Sequence, residues 1–277
     1  MINKINIKQK EQSIKLVGFY LGYTFSITWL CWFTIIVGNT YLGILGYGTP
    51  LFWILYTIGS LGPAISSYLV YRRFKEAFIA KSFASYIFGK ITNRQVWLIF
   101  ALFLVWRFFM IWISFGISQP ISMSSMLSIL INLPFLILLG GAEELGWRGI
   151  LQPRLEKIIH YIPSVLVVGI IWGIWHLPLW LIHGTIQSSF PFGLYLVSGL
   201  VLTSSFTTLY KYTNNLFLCV LSHAWFNGCI NLALYMGNDG VLQLNINWKV
   251  MVVFFLELTV SVILGKLYLG HHPAQNR

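Results

Sequence analysis

Eight runs of apolar residues, each bounded by charged, Pro or Asn residues, constrain this chain more than any other feature. They cover about 16–37, 51–71, 96–117, 125–152, 162–182, 191–210, 214–236 and 247–269. A membrane-crossing helix needs roughly 20 predominantly apolar residues, so eight spans need about 160. That demand matches a 277-residue chain that is 57% hydrophobic. Only 9% of its residues are charged, against about 25% in soluble domains. The pattern predicts an all-α fold, a polytopic membrane protein built as an eight-transmembrane-helix bundle in a single integral domain, 1–277. A soluble enzyme and a disordered chain are set aside on the same grounds.

Charge placement then predicts orientation. The net charge of +11 comes from 18 Lys and Arg against 7 Asp and Glu. No basic run lies on a soluble segment, so no nucleic-acid partner is expected. With eight spans, Lys4, Lys8, Lys10, Lys15, Arg72, Arg73, Lys75, Lys81, Lys90, Arg94, Arg154, Lys157, Lys211, Lys266 and Arg277 all fall on one side. Lys249 alone falls on the other, while Arg107 and Arg148 lie inside helices. Cytoplasmic loops carry the Lys/Arg excess, so both termini are expected in the cytoplasm. The first run is too long for a signal-peptide h-region and lacks a small-x-small site after Val37, so it reads as a retained helix. The apolar and basic stretch 76–90 is expected along the cytoplasmic interface. Cys31, Cys219 and Cys229 lie in apolar runs without CxxC spacing and read as packing residues.

Ionisable groups inside a span are costly and mark functional candidates. Three helices concentrate them. In the fourth, Glu144 and Arg148 are i, i+4 and form a natural acid–base pair. Glu143 points about 100° away and is expected to be left free of that arginine, able to act as a general base on water. A buried structural network of the three residues is the competing reading. In the fifth, Gly169, Gly173 and His176 share one face, which aims the imidazole into a closely packed interior. His160 and His183, at helix ends, read as solvated. In the seventh, Cys219, His223 and Asn227 are spaced by four, with Asn231 at the edge of the stripe, so a His and an Asn one turn apart could orient one another or donate to an oxyanion. Together these groups are the equipment for amide hydrolysis.

The ordered set Glu143-Glu144-xxx-Arg148, Trp172-xxx-His176 and His223-xxx-Asn227 resembles the CPBP family of intramembrane proteases, which includes CAAX prenyl endopeptidases and bacterial Abi-type proteins. The likeness covers 125–235, the expected catalytic core helices. The family usually has Phe where this chain has Trp172. The resemblance implies an intramembrane endopeptidase, glutamate-dependent or metallo-, acting on a membrane-associated peptide or protein. It implies that Glu143 with His176 activates water, that His223 and Asn227 stabilise the oxyanion, and that Glu144–Arg148 holds the geometry.

A zinc ion held by His176, His223 and Glu143 stays open as a second mechanism, although the chain lacks HExxH spacing. Two other functional classes stay open beside the protease. One is a non-proteolytic interaction protein, for bacteriocin self-immunity or sensor binding, on the same helices. The other is a transporter with a Glu/His proton relay, against which stands the absence of an inverted repeat or paired broken helices from the sequence pattern. Depth along the helices places the site near the midplane or cytoplasmic to it. A multi-pass protein of a bacterial plasma membrane, with the lipid bilayer as its solvent, is the expected setting.

Overall fold

The computed structural model describes residues 2–91, 93–117, 122–238 and 240–271, with side chains from residue 7 onward. Arg277 and the side chain of Lys4, two of the orientation markers, lie outside the described residues. The helices are α1 Ile2–Ile36, α2 Pro50–Ser60, α3 Gly62–Arg73, α4 Phe83–Phe88, α5 Arg94–Phe115, α6 Met123–Leu139, α7 Glu144–Gly146, α8 Gln152–Leu155, α9 Tyr161–Trp175, α10 Phe192–Thr213, α11 Leu216–Ala233 and α12 Trp248–His271. Six helices are long and apolar enough to cross a membrane alone. Two bent pairs, Pro50–Ser60 with Gly62–Arg73 and Met123–Leu139 with Gly141–Leu155, bring the number among the described residues to eight if each pair is one span. The protein is an all-α, multi-pass integral membrane bundle. A short antiparallel hairpin, β1 Leu234–Met236 with β2 Leu242–Leu244, is the one described sheet.

The two broken spans correct the expectation of unbroken helices, and each has a local cause. Pro63 has no N–H to offer the Gly59 carbonyl four residues back. The α2–α3 pair bends by 48° there, and Thr28 on α1 donates to the Gly59 carbonyl instead at 2.7 Å. The fourth span bends by 44° at Gly140. Beyond it the chain runs as a 3-10 turn over Gly141–Glu143, the single turn α7, and a π-helical turn over Trp147–Leu151. Pro153 again frees a carbonyl, that of Gly149, and the Tyr86 hydroxyl of α4 donates to it. Within the 76–90 stretch, α4 thus plugs the freed backbone of the fourth span. Single-turn π-bulges gather at functional sites, and this one carries Arg148.

Contacts define the two ends of the bundle. At the end bearing the termini, Arg154 donates to the Ala77 carbonyl at 2.7 Å and Lys211 pairs with Glu156 at 2.6 Å. At the far end, Thr40 donates to the Leu181 carbonyl at 3.4 Å and Ser189 to that of Leu242 at 3.1 Å. Asn247 reaches the Ser114 carbonyl there at 3.3 Å. Gly169 and Gly173 let α9 lie against α10, for an added Cβ at Gly169 would come 3.0 Å from the Leu200 backbone. His160 and His183 are exposed, and Cys219 and Cys229 are buried, as free thiols.

Candidate active site

The irregular turn after Gly140 sends two neighbouring carboxylates to different helices. Glu143, 3% exposed, accepts two indole N–H bonds on its Oε2, from Trp147 at 3.1 Å and Trp172 at 2.9 Å. Its Oε1 lies 3.9 Å from Nε2 of His176, longer than a hydrogen bond. Glu143 is thus clear of Arg148 but not free, since two tryptophans clamp one oxygen and leave the other toward His176. The clamp could not be read from the motifs, in which Trp172 stands where the family usually has Phe, a ring with no N–H to donate.

His176 caps α9 and is packed between rings, with Trp172 at 4.3 Å and Trp175 at 4.4 Å between centroids. Its Nδ1 lies 2.9 Å from the Trp172 carbonyl. A carbonyl only accepts, so Nδ1 carries a proton, and Nε2 is the ring nitrogen turned toward Glu143. Trp29 of α1 donates to the Trp175 carbonyl at 3.0 Å, which ties the end of α9 to the first span.

Glu144, fully buried, receives Arg148 through Nε at 3.1 Å and Nη1 at 3.3 Å. The guanidinium also donates to the Leu202 carbonyl at 3.2 Å and lies over the Phe206 ring. Glu144 has a second partner, Nδ1 of His223 at 2.8 Å. His223 stacks on Phe206 with centroids 5.3 Å apart. Because Nδ1 donates to Glu144, Nε2 can donate to an oxyanion only from the doubly protonated ring. Asn227, half-buried one turn further along α11, needs no such condition, for its amide nitrogen is always a donor. Gly140 packs against both groups: a Cβ there would strike the Asn227 amide and come 3.5 Å from Nε2 of His223.

A cavity of about 530 Å³ joins these groups, with Glu143, His176, His223 and Asn227 on its wall beside Asn231. Glu144, Arg148 and Cys219 do not line it. Two lining residues escaped the motifs, Arg107 of α5 and Glu257 of α12, which form a buried ion pair. Glu257 also accepts from Ser205 at 3.0 Å, and Arg107 lies over the Phe226 ring. Arg107 was visible as a charge inside a span, but its partner is 150 positions away and no spacing links them.

His176 closes α9 at the end away from the termini, about 22 Å along from Tyr161 at 1.5 Å per residue, and the cavity extends from it toward the loops at that end.

As a zinc centre the arrangement fits poorly. Among the described residues no three His, Cys, Asp or Glu side chains are grouped closely enough to hold a metal ion. The Nδ1 of His223 is already committed to Glu144, and Oε2 of Glu143 to two indoles.

Residues 124–229 match the family model described as Type II CAAX prenyl endopeptidase Rce1-like. A curated protein of Methanococcus maripaludis, CAAX prenyl protease 2, is 25% identical over 177 residues. The match takes in 61% of this chain, and the chain spans 64% of that relative's length. The matched segment contains all seven motif residues, from Glu143 to Asn227, five of which line the cavity. Through these central helices the chain is similar to the Type II CAAX prenyl endopeptidases, Rce1-like.

Proposed function

We propose that the protein is an intramembrane endopeptidase that hydrolyses a peptide bond of a membrane-associated peptide or protein. The observation that carries this reading is the facing pair Glu143 Oε1 and His176 Nε2, both acceptors when the carboxyl is ionised and the ring neutral, on the wall of a cavity large enough for a peptide segment. A water between them gives its proton to one of these acceptors as its oxygen attacks the scissile carbonyl. The amide of Asn227 receives the oxyanion, with His223 as a second donor when its ring is doubly protonated. Collapse of the tetrahedral intermediate breaks the C–N bond, and the proton held by Glu143 or His176 passes to the leaving amine. Trp147 and Trp172 fix the carboxylate, leaving Oε1 as the oxygen that faces the water. Glu144 and Arg148 act from behind, holding His223 and the bulged turn.

No step needs a metal, in keeping with the poor fit of the donor set. A non-proteolytic role gains nothing from two acceptors held 3.9 Å apart with a carboxamide one cavity wall away. The test is a comparison of peptides released from membranes that contain the wild type or Glu143→Gln at equal abundance. Cleaved termini present only with the wild type support the reading, and identical peptide sets would sink it.

A further inference from the structure

Five cations, Arg72, Arg73, Lys75, Lys81 and Lys90, stand exposed on residues 72–90 against a single acid, Glu76. The ion pairs among the described residues include none of these five, so no carboxylate neutralises them. Apolar side chains stand exposed between the charges, Ile79 fully and Phe88 by half. The segment joins the end of α3 to the start of α5 at the end of the bundle that bears the termini. Unpaired cations mixed with outward apolar groups suit a headgroup layer, where acyl chains take the apolar groups and anionic phosphates face the cations.

The same segment is tied into the bundle by its backbone. Tyr71 donates to the Ala80 carbonyl at 3.1 Å, Arg154 of α8 to that of Ala77 at 2.7 Å, and Asn215, which caps α11, to that of Phe88. Arg154 also lies over the Phe78 ring. In return, the Tyr86 hydroxyl donates to the Gly149 carbonyl inside the π-helical turn of the fourth span. A Cβ at Gly149 would come 3.0 Å from that hydroxyl, so ring and turn are closely fitted. Gly149 follows Arg148, which holds Glu144, and Glu144 in turn holds Nδ1 of His223. No described residue of 72–90 lines the cavity. The segment therefore reaches the site only through the bulged turn.

We propose that residues 72–90 form a strap that binds anionic phospholipid headgroups, and that its seating on them orders the bulged turn behind Glu144 and His223. Each basic side chain beside an anionic surface is worth about fivefold in binding. A neutral leaflet supplies no counter-charge, so the strap sits more loosely and Tyr86 leaves the Gly149 carbonyl more often. The effect on turnover rests on the endopeptidase reading, whereas the lipid binding and the ordering of the turn do not.

The test places the full chain in nanodiscs of phosphatidylcholine, alone or mixed with phosphatidylglycerol, and follows backbone amide exchange by mass spectrometry. In the wild type, phosphatidylglycerol is expected to slow exchange in both 75–90 and 147–151, by about fivefold or more. The exposed changes Lys75→Gln/Lys81→Gln/Lys90→Gln leave the backbone ties in place and should lose most of the response in both segments. Tyr86→Phe should keep the response in 75–90 and lose it in 147–151. Equal exchange in the two lipid compositions overturns the proposal, as does a response of the lysine variant equal to the wild type. Slowing confined to 75–90 in the wild type reduces the strap to an anchor and overturns its link to the turn. The same slowing by inorganic phosphate in neutral nanodiscs overturns the lipid as the source of the anion. Peptide release is then compared in the two compositions, and stimulation by phosphatidylglycerol that the lysine variant lacks is expected. Equal turnover in both overturns the link to the site. No cleavage in either, with exchange still responding, sinks the endopeptidase reading and leaves the strap standing.

Discussion

Nδ1 of His223 lies 2.8 Å from Oε1 of Glu144, so the second carboxylate of the pair serves α11 as well as its own arginine. Removing Glu144 therefore strips a partner from two buried groups at once. Leaving a buried charge unpaired costs about 3–5 kcal/mol. Glu144→Ala and Arg148→Ala are each expected to unfold at clearly lower temperature in detergent, with activity lost in step with folded protein. Denaturation midpoints equal to the wild type would remove the pair from the account of stability.

Glu143→Gln keeps the shape of the side chain and removes its basicity. Turnover is expected to fall by about 10²–10⁴-fold, the usual worth of a positioned general base, with insertion and abundance unchanged. Trp172→Phe, which takes away one indole donor, should fall between the two. A hydrogen bond to a charged group contributes about 1.5–3 kcal/mol, so a loss of roughly tenfold or more in kcat is the expected reading. Unchanged kcat in Trp172→Phe would separate the clamp from catalysis.

Gly140 and Asn227 should behave as one unit. A methyl group at Gly140 pushes the Asn227 amide from its place, so Gly140→Ala and Asn227→Ala are expected to lower kcat by similar factors, about 10²–10³ for one oxyanion donor. The double variant should be no worse than either single one, since coupled residues do not add. Additive losses measured by steady-state kinetics would break the link.

Arg107 and Glu257 join α5 to α12 on the cavity wall. Each single change to Ala leaves the other charge buried, whereas an apolar pair of similar volume is often neutral. Arg107→Met/Glu257→Leu is expected to be more stable than either single substitution, read as thermal midpoints in one detergent. Singles as stable as the wild type would mean that the pair is solvated.

Chelation is the measurement that divides the two hydrolytic mechanisms. With the water activated by Glu143 and His176 alone, dialysis against a strong chelator should leave turnover intact, and the purified active protein should hold well under one zinc per chain. One tightly bound zinc, removed and restored together with activity, would overturn the direct mechanism.

The membrane-spanning helices were legible because apolar length is a local quantity. The breaks at Leu61 and Gly140 were not, although Pro63, Pro153 and the Gly140-Gly141 pair stand in plain view. Whether such residues break a span depends on donors from elsewhere, here Thr28 and Tyr86. The Glu144–Arg148 spacing gave its contact directly, because i, i+4 is a helical neighbour. The attachment of His223 to Glu144 joins residues 79 apart, and the Trp172 clamp joins residues 29 apart. Tertiary partners of this kind leave no periodic trace.

The divergence of Glu143 and Glu144 has a consequence for biosynthesis. Glu143 faces Trp172 and His176, which precede the 182–190 loop, whereas Glu144 faces His223, which follows it. A nascent chain that has inserted only through α9 holds the two proton acceptors without the oxyanion donors of α11. The hydrolytic centre proposed here is therefore completed only when the seventh span enters, so immature chains would be inert toward neighbouring proteins during insertion.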